Sequence, residues 1–141
     1  MKILHTSDWH LGRTFHRHSL HEWHQQFIDE LIDYATAEKI DVLLISGDVY
    51  DSAHPSAETT ELLGKTLDRL GLAGIQVVLS AGNHDSARRL GYGAGTLARQ
   101  GIYPVTTLKE TFEPVELTRD DIRVRIYAIP YLNPRYYGRQ L

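Results

Sequence analysis

The stretch Val77–Asp85, VVLSAGNHD, decides the fold. Val77, Val78 and Leu79 make a short β-prone apolar run, the pattern of a strand covered on both faces. The run leads into Asn83, His84 and Asp85, all potential metal ligands or proton carriers. A buried strand ending in such groups holds them on a rigid support. Two earlier segments repeat the design. KILHTS, residues 2–7, reads as a strand and leads to Asp8 and His10. DVLLIS, residues 41–46, is a second continuous apolar run and leads through Gly47 to Asp48 and Asp51.

Helical segments separate these strands. SLHEWHQQFIDELIDYATAEK, residues 19–39, predicts a helix with Leu20, Trp23, Phe27, Leu31 and Ala35 on one face. Ser19 with Glu22 three residues later is a capping-box signature. SAETTELLGKTLDRLG, residues 56–71, predicts a second helix, preceded by Pro55 and closed by Gly71. GAGTLARQG, 93–101, predicts a short third. Alternation of strand and helix predicts an α/β fold whose sheet is parallel at its start. All carboxyl ends of such a sheet lie on one edge, where open α/β folds place ligands. The three polar clusters therefore converge in space. After about Tyr103 the pattern turns to β: YPVTT, FEPVEL and IRVRIYAIP read as strands.

Composition narrows the class. A chain of 141 residues is the size of one domain, and 42% apolar with 23% charged residues fits a globular protein. Cysteine is absent, which excludes disulfides and thiolate-bound zinc and favours a reducing, cytoplasmic setting. The opening MKILHTSDWH is not expected to act as a secretory leader, and no apolar run approaches the ~20 residues that span a bilayer. The net charge of −3 hides an asymmetry: residues 1–70 carry six basic and twelve acidic residues, residues 71–141 nine and six.

Carboxylate, imidazole and amide donors without thiols suit hard or borderline divalent ions, Mn²⁺ above all, with Mg²⁺, Fe²⁺ or Zn²⁺ as alternatives. A central Asp bridges two ions, and paired ions suit phosphate ester hydrolysis. Each piece also has a plain reading: Asp and Asn after strands are common turn formers. His21 and His24 stand at i, i+3 and offer a second chelate, but no carboxylate shell accompanies them. Arg88 and Arg89 follow the third cluster and suit phosphate contact, which is largely independent of base sequence.

The order D-x-H, G-D-x-x-D, G-N-H-D resembles the calcineurin-like metallophosphoesterases. Within them MKILHTSDWHLG, SGDVYDSAHPS, AGNHDS and YAIPYLNPR look like the SbcD-type DNA repair nucleases. The resemblance implies the N-terminal half of a four-layer α-β-β-α sandwich and two bound divalent ions. Asp8 and His10 would hold one ion, Asp48 would bridge both, and Asn83 would hold the second. His84 would act on the phosphate as a charge stabiliser and acid, and Asp51 would orient His84. Asp85 is left between loop support and the site. The implied activity is double-strand exonuclease and single-strand endonuclease action on DNA in repair, recombination and replication, with an SbcC-type ATPase partner. The family's later three histidines have no counterpart, since none follows His84. Residues 1–141 are therefore expected to form a partial nuclease domain, inactive alone and self-associating through apolar surface near Ile126 and Ile129. A phosphomonoesterase of the same superfamily and a non-catalytic docking module are the alternatives.

Overall fold

The computed structural model describes residues 1–138. The chain runs β1 (Ile3–Thr6), β2 (Thr14–Phe15), β3 (His18–Ser19), α1 (His21–Ala37), β4 (Val42–Ser46), α2 (Ala57–Leu72) and β5 (Gln76–Ser80). It continues with α3 (Ala87–Leu90), α4 (Ala94–Ala98), β6 (Ile102–Val105), a 3₁₀ turn (Glu110–Phe112), β7 (Val115–Arg119), β8 (Ile122–Ile126) and α5 (Pro134–Tyr137). Strands β1, β4, β5 and β6 pair in that order into one parallel sheet. The α/β class and the parallel start read from the sequence both stand.

The two central strands are apolar on both sides because both faces of the sheet are covered. On one face α1 and α2 bury Ile28, Ile32, Leu63, Leu67 and Leu70 against Leu43, Ile45, Val77 and Leu79. On the other, the β7–β8 hairpin sets Leu117 against Val42, Val78 and Val105. That second face is only partly bare: Ile126 is half-buried in this smaller core, while Ile129 and Tyr131 stay 67% and 50% exposed.

Two details of α1 correct the sequence reading. The capping box does not form: Leu20 is the N-cap, without a side-chain cap bond. Ser19 instead pairs with Thr14 in the two-stranded β2–β3 ribbon, whose turn residues His16 and Arg17 take φ 47° and 65°. Positive φ at both central positions suits a tight hairpin. The buried face is also rotated. Ile28, Ile32 and Ala35 go inward, while Trp23 and Phe27 remain 69% and 39% exposed. Helix α2 keeps its predicted start. Ser56 caps it by accepting from Thr59 N–H at 3.1 Å, but Gly71 lies inside its last turn.

Candidate metal and phosphate site

The ends of β1, β4 and β5 are adjacent in the sheet, so the three polar loops meet at its carboxyl edge. Backbone bonds lock the first two together. Asp8 N–H donates to the Gly47 carbonyl at 3.2 Å, His10 N–H to the Asp48 carbonyl at 2.9 Å, and Leu11 N–H to the Val49 carbonyl at 2.9 Å. Asp51 N–H returns the link to the Leu11 carbonyl at 3.0 Å. Asp8, His10 and Asp48 adopt left-handed φ of 56°, 46° and 44°. Such torsions cost about 1–3 kcal/mol each and persist only where neighbours enforce them.

The third loop is held by Asp85. Its carboxylate accepts from Val49 N–H at 3.1 Å, Tyr50 N–H at 2.8 Å and Gly82 N–H at 2.8 Å. Of the two roles left open for it, the structure gives it loop support. Gly82 is needed where it stands, since a Cβ there would fall on the carboxylate and backbone nitrogen of Asp48.

The side chains converge around Asp48, which is only 8% exposed. One of its oxygens accepts from His84 N–H at 2.9 Å. The other faces His10 Nε2 at 3.8 Å, and Asp8 Oδ1 stands 4.0 Å from the same nitrogen. These separations are too long for hydrogen bonds. The groups stand close enough for a shared ion at ligand distances of about 2.0–2.2 Å to lie between them. A buried carboxylate with so little compensation is ordinarily paired or bound to metal. Ligand atoms of His10, Asp48 and His84 all lie within 4.8 Å of one another. Asn83 lines, with Asp8, Asp48, Ser46 and Tyr131, an open cleft of about 270 Å³ beside them. This donor set fits a divalent cation.

Asp51 serves two histidines, and its allocation differs from the expected one. Its carboxylate bonds His10 Nδ1 at 3.0 Å, leaving His10 Nε2 toward Asp8 and Asp48. Its backbone carbonyl accepts from His84 Nδ1 at 2.9 Å. Asp51 meets His84 through the main chain, while its carboxylate is taken by His10. The two rings meet edge to face, with centroids 4.9 Å apart. The bond to the Asp51 carbonyl raises the His84 pKa above the ordinary histidine value. Desolvation opposes this, the charges of Asp48 and Asp51 add to it, and that of Arg13 subtracts.

Other sequence candidates fall elsewhere. Arg88 and Arg89 sit on α3, exposed, beside Tyr50 and Tyr92 rather than in the cleft. His21 faces Glu58 at 3.4 Å, and His24 Nδ1 is buried without a hydrogen-bond partner among the described residues. Two contributors escape the sequence reading. Arg13 places a positive charge near His84, and Tyr131 lines the cleft because its N–H donates to the Ala81 carbonyl at 2.7 Å. Arg13 follows the first motif closely, and Tyr131 lies within YAIPYLNPR, one of the stretches that carry the family resemblance, so each has a usable signal. Among the described residues no helix is long and apolar enough to cross a membrane.

A family model for calcineurin-like phosphoesterases matches residues 1–133. The chain is 37% identical over 132 residues to the SbcD component of the SbcCD nuclease of Staphylococcus saprophyticus, covering 93% of this chain and 34% of that one. It is 36% identical over 143 residues to the same component from Rhodobacter capsulatus, covering 94% and 35%. The Staphylococcus epidermidis protein of that name is 33% identical over 132 residues, with 93% and 34% covered. The chain thus spans about a third of the length of these relatives.

Proposed function

The chain belongs to the calcineurin-like phosphoesterase family, and from that premise we propose that it carries part of the active site of a DNA phosphodiesterase. The observation that carries the reading is the buried Asp48 carboxylate, facing His10 Nε2 and one loop away from Asn83 and His84. Asp8, His10, Asp48 and Asn83 would hold two divalent ions, of which Mn²⁺ best matches the donors. When bound, such ions supply Lewis acidity toward a phosphate ester.

The chain's own groups do the rest. Asp51 fixes His10 with Nε2 directed at the carboxylates, a partner that sets tautomer and orientation. The Asp51 carbonyl keeps the proton of His84 on Nδ1, so His84 Nε2 is free for the substrate. A raised pKa favours the charged ring, suited to meeting a phosphate oxygen and protonating a leaving alkoxide. Asp85 keeps the second and third loops in register. Arg88 and Arg89 add charge for backbone phosphates beyond the reacting one.

The relatives are named as one component of a nuclease, which supports a nucleic-acid substrate and a second component as partner. With the motif resemblance, that favours DNA, an SbcC-type ATPase and a cytoplasmic role in repair, recombination and replication. Residues 1–141 would be one portion of the nuclease domain, consistent with the third of each relative they span. The exposed Ile129, Tyr131 and Tyr136 support self-association of the isolated chain.

Calorimetric titration with Mn²⁺ tests the core of the reading. Wild-type chain should bind, and Asp48→Asn should lose the binding while keeping its circular dichroism. A D48N chain that binds Mn²⁺ like wild type refutes the metal assignment. Extended to the relatives' length, the protein should cut linear duplex DNA and leave p-nitrophenyl phosphate nearly untouched. The opposite preference would make it a phosphomonoesterase.

A further inference from the structure

Helix α1 carries a surface that the proposed chemistry does not use. Trp23, Phe27 and Tyr34 stand at i, i+4 and i+11, on one side of the helix, with Glu30 at i+7 between the last two. They are 69%, 39% and 55% exposed. Aromatic side chains of this size are the usual anchors of protein interfaces. The charge that α1 itself carries beside the stripe is of one sign. Between His21 and Ala37 the helix holds Glu22, Asp29, Glu30 and Asp33 and no lysine or arginine. Asp29 is taken by Arg69 of α2, while Glu22, Glu30 and Asp33 are exposed.

That charge selects the occupant. Phosphate backbones and anionic membrane surfaces would be repelled by three exposed carboxylates. A second copy of the same face would set like charges against each other. A helix with apolar residues on one face and lysines or arginines on its flanks satisfies both the aromatic stripe and its acidic rim.

The stripe also touches the site. The Phe27 ring meets the Trp9 ring edge to face, with centroids 5.6 Å apart. Trp9 is 5% exposed, donates from Nε1 to Thr6 Oγ1 at 3.2 Å, and lies in the chain between Asp8 and His10. We propose that the outward face of α1 is a docking surface for a basic amphipathic protein helix, and that the Phe27–Trp9 contact transmits its occupancy to the loop bearing Asp8 and His10.

Two synthetic helical peptides test this, sharing a leucine face and carrying either lysine or glutamate on the polar face. The chain has two tryptophans, so Trp23→Phe keeps an aromatic anchor and leaves Trp9 as the sole emitter. The lysine peptide should bind saturably and change Trp9 emission; the glutamate peptide should do neither. Binding, followed by calorimetry, should weaken by about tenfold or more in a Trp23→Ser/Tyr34→Ser variant of unchanged circular dichroism, the loss expected of interface anchors. Phe27→Leu should keep most of the binding and lose the Trp9 response. Equal binding of both peptides, or of the lysine peptide to the double variant, overturns the docking surface. Binding with no change in Trp9 emission overturns the link to the site. Stripe-dependent dimerisation, or stripe-dependent binding of single-stranded DNA, overturns the assignment of the occupant. None of these readouts requires metal or catalysis, so they stand or fall apart from the nuclease reading.

Discussion

Removing the Asp85 carboxylate should unfasten the second and third site loops from each other. It accepts three backbone N–H groups, two from the loop after β4 and one from the loop after β5. A hydrogen bond to a charged group contributes about 1.5–3 kcal/mol. Three independent bonds would sum to roughly 4.5–9 kcal/mol, but neighbouring bonds are not additive. Asp85 is also only half-buried, so water replaces part of what is lost. The expected cost of Asp85→Ala is about 3–4 kcal/mol, a large share of the ~5–15 kcal/mol that holds a domain together. Asp85→Asn should cost less, about 2 kcal/mol. An amide oxygen in the place of Oδ2 keeps the Val49 and Gly82 bonds in neutral form, while the amide NH₂ confronts the Tyr50 N–H. Urea unfolding followed by circular dichroism reads both values. A D85A midpoint corresponding to less than about 1 kcal/mol would refute the reasoning, as would an Asn variant weaker than the Ala variant.

Three further outcomes follow from the geometry. In the protein extended to the relatives' length, His84→Gln should keep Mn²⁺ binding by calorimetry and lose cleavage by about 10²–10⁴-fold; parallel loss of metal would make His84 a ligand. Ser56→Ala removes the side-chain cap of α2 and should cost about 1 kcal/mol in urea unfolding; an unchanged midpoint would show the cap to be idle. His24 is held below the ordinary histidine value, first by burial and then by the charge of His21, with Asp51 opposing and His10 adding a little. The unfolded chain then binds more protons than the native one as pH falls through about 6.5. Stability should drop below that pH, and urea midpoints at pH 7.5 and 5.5 should converge in His24→Gln; an undiminished gap would place the pH response elsewhere.

The strand ends were legible because their physics is local. VLLI and VVL are apolar throughout, the pattern of a strand covered on both faces, and each leads into a polar cluster. Parallel order then brings Asp8, Asp48 and Asn83 to one edge. The face of α1 is not legible in the same way, because Trp23 and Phe27 count as apolar wherever they point, while the sheet takes the smaller Ile28 and Ile32. Sequence spacing also cannot choose between two histidines for one carboxylate. Asp51 goes to His10 because β1 and β4 are neighbours and their loops are tied by backbone bonds. Tyr131 reaches the cleft through a main-chain bond to the Ala81 carbonyl; the family likeness of YAIPYLNPR marks its segment, but no periodicity tells that the segment returns to the cleft.

The left-handed torsions at Asp8, His10 and Asp48 set heat resistance against chemistry at the same three positions. Glycine adopts such a torsion freely, so exchanging any of these residues for glycine relieves roughly 1 kcal/mol or more of backbone cost. The main-chain bonds of Asp8 and His10 to Gly47 and Asp48 would survive the exchange, because they use only the amide groups. The donor atom would not. Selection for thermal tolerance alone would therefore drift toward glycine first at Asp8, whose side chain makes no hydrogen bond among the described residues, whereas His10 and Asp48 are also held by side-chain bonds to Asp51 and His84. On the proposed metal assignment, aspartate and histidine kept in these costly torsions mark where the molecule gives up resilience to keep its donors in place.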